Sequence, residues 1–282
     1  MYIIGLFLFA LSGCRGQSLE EVCGVSKYPD AGRVPVDGGR SRRIVGGTEA
    51  RENEYPWMVM MDWFNGNVWD QNCGAVLINN RWALSARHCT YAADPVTDYR
   101  IVVKNHWRLP SNDGVEYTPE VIVRHPDYDS NTYENDIVMF KFPQNLTFDE
   151  DLRPICLAPR NDNDTYVGQT MILAGWGNEE RNAPSPEQLL YTDLQVIAQD
   201  PCEDDIAPRP LFRDREYCVQ GDLKDSGDGD SGGPYFFRRP ADGRFQLLGL
   251  QSWGYWPAGT RPSIVVNVSA FYDWIEEVMR NN

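Results

Sequence analysis

Most of this chain is cut into short apolar runs. Val59-Met60-Met61, Ile101-Val102-Val103, Val121-Ile122-Val123, Ile137-Val138-Met139-Phe140, Met171-Ile172-Leu173 and Leu247-Leu248-Gly249-Leu250 recur between clusters of Gly, Pro, Asn and Asp. Runs of this length, rich in β-branched residues and fenced by turn formers, predict strands and exclude a helical bundle. Only the end departs from the pattern. After Ser269 as an N-cap, Phe271, Trp274, Ile275, Val278 and Met279 fall on one face, which predicts a C-terminal helix. No internal repeat or low-complexity tract interrupts the series. The segment 44–282 is long enough for a single all-β domain with a sizeable core.

The first residues are of another kind. Met1 to Gly13 is almost wholly apolar and ends in small residues, the composition of a secretory signal too short to span a membrane. Cleavage near Gly16 is expected, although Leu11-Ser12-Gly13-Cys14 also fits a lipidation site. The chain has seven cysteines. Cys14 leaves with the signal, and the six that remain in an exported protein imply a disulfide framework, with any of fifteen pairings open. Acids outnumber bases, 41 to 26, for a net charge of −15. That field repels nucleic acid and favours cationic partners, with solubility as its plainest use. The three scattered histidines form no metal-ligand set, and the acids between Asn105 and Glu116 do not align for calcium.

Chemistry concentrates at Gly229-Asp230-Ser231-Gly232-Gly233-Pro234. A hydroxyl is a weak nucleophile at its free pKa, so it must sit where backbone amides can approach the oxygen that becomes charged. Flanking glycines give the backbone that freedom. Such a serine needs a histidine base and a buried acid. His88 stands in Ala83-Leu84-Ser85-Ala86-Arg87-His88-Cys89, preceded by Cys73-Gly74-Ala75-Val76 and Trp82. His125 precedes Pro126 in an extended loop and His106 lies at a strand edge, settings that fit surface or packing roles. Asp136 opens the apolar run Ile137-Val138-Met139-Phe140, whereas Asp127 and Asp129 read as turn carboxylates.

Taken together, these segments resemble the trypsin-like (chymotrypsin-fold) serine proteases, in the chain order His, Asp, Ser. The resemblance implies two six-stranded antiparallel β-barrels with the catalytic cleft between them and a C-terminal helix. It implies His88, Asp136 and Ser231 as catalytic residues, with the Gly229 and Ser231 amides as the oxyanion hole. Arg40-Ser41-Arg42-Arg43 abuts Ile44-Val45-Gly46-Gly47, and zymogens of the family are cut at such a junction. Cleavage after Arg43 would free the Ile44 amine to pair with Asp230 and set the loop carrying the two amides. The expected organisation is a signal peptide over 1–16, a propeptide or light chain over 17–43, and a peptidase domain over 44–282. The family pattern also pairs Cys73 with Cys89, Cys202 with Cys218, and Cys23 with Cys156. The last bridge would keep the cleaved propeptide attached.

For the substrate pocket, the resemblance assigns Asp225, followed by Ser226, to the base, where a buried carboxylate selects arginine or lysine. Ser252, Trp253 and Gly254 match the segment that supports the catalytic acid, packs the substrate backbone and leaves the pocket wall small. Several residues depart from the pattern. A bridge that the family nearly always has is missing at both ends, where Gly227 and Pro257 stand. Ser263 replaces a second pocket glycine and would narrow the site. Asp228 adds a charge at the mouth, and Arg87 puts a cation beside His88.

The function implied is a secreted, extracellular serine endopeptidase. It would act on protein or peptide substrates after Arg or Lys, need an activating trypsin-like protease, and meet protein protease inhibitors. No cofactor, metal, nucleic acid or membrane is called for. A binding protein that keeps the fold without turnover is the competing reading, supported by the missing bridge, Ser263 and Arg87. Asn145 and Asn163 begin N-glycosylation sequons in polar surroundings, while a third sequon at Asn267 abuts a strand.

Overall fold

The structure is a computed structural model that describes residues 18–32, 47–108, 113–160, 162, 164–178, 185–222 and 224–282, apart from the side chain of Asn72. It contains two antiparallel barrels. The N-terminal one is a curled seven-stranded sheet, in spatial order Val115–Tyr117, Tyr99–Val103, Met58–Phe64, Trp69–Leu77, Trp82–Ser85, Val138–Lys141 and Val121–Arg124. It forms a half-barrel. The C-terminal barrel runs Leu190–Ile197, Thr170–Gly175, Pro234–Arg238, Phe245–Trp253, Ser263–Asn267 and Glu216–Gln220. Pairing of Glu216–Gln220 back onto Leu190–Ile197 closes it. Every apolar run singled out in the sequence lies in a strand or leads directly into one.

One cluster of buried residues spans both barrels. Tyr55 and Trp57, which lead into the strand Met58–Phe64, meet Phe236 and Phe245 of the C-terminal barrel with ring centroids 5.1 to 6.2 Å apart. All four rings are fully or nearly fully buried. Aromatic pairs in tilted and edge-on arrangements add to the area they bury, so this cluster fixes how the barrels meet.

The C-terminal helix spans Tyr272–Asn281 and buries Ile275 and Val278. Its start differs from expectation. A 3-10 turn, Val268–Phe271, precedes it, and the cap is Asn267, whose Oδ1 accepts from Ser269 N (3.1 Å) and Ser269 Oγ (2.7 Å). Ser269 is thus the capped residue rather than the cap. Placed by this turn, Phe271 and Trp274 pack on the His125 ring at 5.4 and 5.0 Å.

Three disulfides join Cys23 to Cys156, Cys73 to Cys89, and Cys202 to Cys218. These are the pairs that the resemblance implies. The segment 18–32 is also held by its backbone, since Gly24 N donates to Pro154 O and Phe245 N donates to Gly24 O, both at 2.8 Å. No helix among the described residues is long and apolar enough to cross a membrane.

Candidate active site

Strand pairing brings the base and the acid together. His88 sits in a 3-10 turn, Arg87–Cys89, just after the strand Trp82–Ser85. Asp136 sits just before Val138–Lys141, and the two strands pair with Ser85 opposite Val138. The start of one strand therefore lies beside the end of the other. The disulfide from Cys89 to Cys73 anchors the turn to the neighbouring strand. Asp136 is preceded by Tyr133 and Asn135 with φ of 65° and 57°, a left-handed bend that costs energy for a residue as bulky as tyrosine. That bend puts the Tyr133 ring edge-on to the His88 imidazole, centroids 5.5 Å apart.

Asp136 is fully buried and accepts three close hydrogen bonds. His88 Nδ1 lies 2.7 Å from its Oδ2, His88 N donates to Oδ1 at 2.8 Å, and Ser252 Oγ donates to Oδ2 at 2.6 Å. With Nδ1 held at the carboxylate, the second ring nitrogen is left to act as a base.

Ser231 reaches the same place from the other barrel. Gly74 N, on the strand Trp69–Leu77, donates to Ser231 O at 2.8 Å, while Ser85 Oγ donates to Gly74 O at 2.7 Å. The loop 231–233 is clamped from its own side too, through Gly232 N to Gln251 O and Gln251 N to Gly233 O. Gly232 has φ of 72°, and a Cβ there would fall 2.1 Å from Ser85 Oγ. Only glycine permits this approach. His88 and Ser231 line one cavity of about 220 Å³, with Tyr133, Asp225 to Asp228, Gln251 to Trp256 and Ser263.

Gly229 has φ of 102°, and its carbonyl accepts from Gln71 Nε2 at 2.8 Å. Sequence reasoning missed Gln71. The contact ties the turn before Ser231 to the strand Trp69–Leu77 of the other barrel. Asp230, fully buried, accepts from Gly177 N and Gly227 N, both at 2.8 Å. Burial pushes its carboxyl up to about 6 against the pull of those two amides. Arg43 and Ile44 lie outside the described residues, as does Asn163. Asn145 is exposed, whereas Asn267 is buried with its side chain engaged in the helix cap.

Asp225, which lines the same cavity, is buried. Its Oδ1 accepts from Ser263 Oγ (2.6 Å), Ser226 N (2.8 Å) and, more distantly, Ser226 Oγ (3.4 Å); its Oδ2 accepts from Gly259 N (2.8 Å). Burial raises its pKa and these donors oppose the rise. Ser263 does turn inward, as the narrowing required. Arg87 does not face the imidazole: its guanidinium bonds Thr90 and stacks over Tyr128 at 5.1 Å.

The missing bridge has a physical counterpart. Gly227 packs so closely on the Asn178 backbone that a Cβ would lie 1.6 Å from Asn178 O. No side chain, cysteine included, fits there in this arrangement. The Asp225 carboxylate ties the walls instead, linking Ser226 on one side to Gly259 and Ser263 on the other.

Residues 44–275 match the Trypsin family model. The chain belongs to the trypsin family. Among curated proteins it is 30% identical over 264 residues to melanization protease 1 of Drosophila melanogaster, covering 84% of this chain and 66% of that protein. It is 29% identical over 233 residues to human mannan-binding lectin serine protease 1, covering 75% of this chain and 32% of that protein. This trypsin-family chain thus spans just under two thirds of the first relative's length and about one third of the second's. The family is that of the trypsin-like serine proteases, which act on protein substrates, and it also includes inactive members; both named relatives bear protease names.

Proposed function

We propose that the chain is a secreted serine endopeptidase, made as a zymogen, that hydrolyses peptide bonds after Arg or Lys. The observation that carries this reading is the buried Asp136 bonded to His88 Nδ1, with His88 and Ser231 on one cavity that Asp225 also lines. In the proposed reaction His88 takes the Ser231 proton as the oxygen attacks the scissile carbonyl. Asp136 holds the ring and stabilises its charged form. The Gly229 and Ser231 amides receive the oxyanion, and Gln71 holds the Gly229 carbonyl in the same turn. His88 then returns the proton to the leaving amine, and water repeats the attack on the acyl-enzyme.

The substrate side chain would enter between Trp253, Gly254 and Ser226 to reach Asp225. Cleavage between Arg43 and Ile44, by another trypsin-like protease, would supply an ammonium to Asp230. A carboxylate at full burial is costly without a cation, so the new amine would be drawn inward and would hold the 227–231 loop. The Cys23–Cys156 bridge would keep the light chain, proposed as 17–43, attached to the peptidase domain, 44–282, after loss of a signal over 1–16. Protein inhibitors of such enzymes would compete for the same cleft.

Fluorophosphonate labelling tests the reading directly. The chain treated with a trypsin-like activator is expected to take the label at Ser231 and then to cleave arginyl and lysyl amides in preference to phenylalanyl and leucyl ones. Arg43→Gln protein given the same treatment should neither label nor turn over. An activated chain, cut at Arg43, that never labels would instead favour a binding protein on the protease fold.

A further inference from the structure

The environment of Asp225 separates the two basic side chains. An ionised carboxylate offers about four lone-pair sites in its plane. Three are taken here by close donors, Ser263 Oγ and Ser226 N on Oδ1 and Gly259 N on Oδ2. One site is left, on Oδ2.

A guanidinium recognises a carboxylate best through two parallel N–H bonds, one to each oxygen in the common plane. Oδ1 cannot supply its half while Ser263 and Ser226 hold it. An ammonium has other needs. It is a compact point charge with three donors arranged tetrahedrally, and it gains from out-of-plane acceptors. Ser263 Oγ spends its one proton on Asp225, so its lone pairs remain for a ligand, and Ser226 Oγ stands near the same oxygen at 3.4 Å. Both serines line the cavity.

Shape points the same way. Ser263 is the first residue of the strand Ser263–Asn267, registered opposite Val219, and it is only 1% exposed. Its hydroxyl stands against the Gly254 wall, 2.5 Å from where a Cβ on Gly254 would be. The planar guanidinium is wider than the ammonium and has less room where this hydroxyl stands between Asp225 and the Gly254 wall. Nor is Ser263 free to turn aside without leaving Asp225 short of a donor in a buried site.

We propose that Ser263 makes this pocket a lysine site that discriminates against arginine, by filling Oδ1 of Asp225 and offering its own oxygen to an ammonium. The inference rests on the reading of the chain as a protease specific for basic residues. The test compares two peptidyl amides that differ only in lysine or arginine before the scissile bond, using activated chain normalised by fluorophosphonate titration. The expected kcat/KM ratio is at least tenfold in favour of lysine. In Ser263→Gly protein the hydroxyl is gone and Oδ1 is open, so the ratio should fall to parity or invert. A wild-type preference for arginine, or equal use of both, overturns the inference and leaves the basic-residue reading standing. A lysine preference that Ser263→Gly leaves unchanged also overturns it, because the discrimination then lies elsewhere. Cleavage after neither residue by an enzyme that labels at Ser231 sinks the basic-residue reading itself, and this inference with it.

Discussion

Asp136 and Asp225 are the same chemical object put to opposite uses. Each is a buried carboxylate with three close donors. At Asp136 two of those donors belong to His88, so the carboxylate fixes the orientation of a residue that itself faces the cleft. At Asp225 the donors belong to the pocket walls, and the carboxylate must still leave room for a ligand. Filling the lone pairs of a buried acid makes a rigid support in the first place. In the second it makes a recognition site with one opening. The Asp225 end also lacks the usual covalent tie, so one side chain serves both recognition and the linking of Ser226 to Gly259 and Ser263.

Removing charge at the two sites should separate these uses. Asp136→Asn keeps the volume but favours the wrong tautomer of His88, and in enzymes with this triad such a change lowers kcat by about 10⁴-fold. KM should hardly move. Stopped assays at substrate saturation would reveal a smaller loss if His88 is oriented by other contacts. Asp225→Ala is expected to lower kcat/KM for basic substrates by roughly 10²–10³-fold, the cost of losing the partner of a buried cation. Unlike the Asp136 change, it should also lower Tm, because Ser226 N, Gly259 N and Ser263 Oγ all lose their acceptor. A thermal scan showing no difference would mean that the walls are held by other contacts.

Ser252→Ala is a gentler probe of the catalytic side. It deletes one of the three donors to Asp136 and leaves both from His88 in place. A hydrogen bond to a charged group is worth about 1.5–3 kcal/mol, so a fall in kcat of about tenfold or somewhat more is expected. The split between kcat and KM is the useful readout, since Ser252 supports Asp136 and its loss should lower kcat while leaving KM nearly unchanged. No change in kcat would show that the two His88 contacts suffice.

The catalytic end was far more legible in the sequence than the pocket end, and the reason is distance along the chain. The flanks of His88, Asp136 and Ser231 carry their own structural instructions: a cysteine that anchors the turn, an apolar run that follows the acid, and glycines that admit the Ser85 hydroxyl. The apolar runs were equally informative for the strands. What no local pattern could announce is a contact made by ordinary residues from remote segments. Gln71 meets Gly229 across 158 positions, and nothing in Trp69-Asp70-Gln71 marks it. Ser263 could be aligned as an intruder in the pocket, yet its bond to Asp225 depends on strand register. The absent bridge at Gly227 reads as a loss in sequence. In space it is a close backbone contact with Asn178 that a side chain would abolish. At the C-terminal helix, the cap expected at Ser269 is displaced: Asn267, the last residue of the strand Ser263–Asn267, caps a 3-10 turn that precedes the helix.

Glu216 extends the comparison to a buried acid with one close donor among the described residues. It opens the strand Glu216–Gln220, is 3% exposed, and accepts from Phe212 N at 2.8 Å through Oε2. Burial is the largest influence and lifts its pKa from 4.5 to about 8; the Phe212 amide opposes this, Asp136 and Glu134 add to it, and Arg215 offsets a little. The sign of the pH effect follows. Between about 4.5 and 8 the unfolded chain has released this proton and the folded chain still holds it, so stability falls as pH rises through that window. Glu216→Gln keeps an acceptor for Phe212 N and has no proton to lose. It should therefore match the parent most closely near pH 5 and exceed it most near pH 8, by several degrees in Tm. Turnover near neutral pH should change less than twofold, because the native side chain is already protonated there and touches neither His88 nor Ser231. Parallel Tm curves across this range would show that Glu216 ionises inside the fold. One donor would then serve a buried carboxylate as well as three, and the contrast drawn between Asp136 and Asp225 would lose its physical basis.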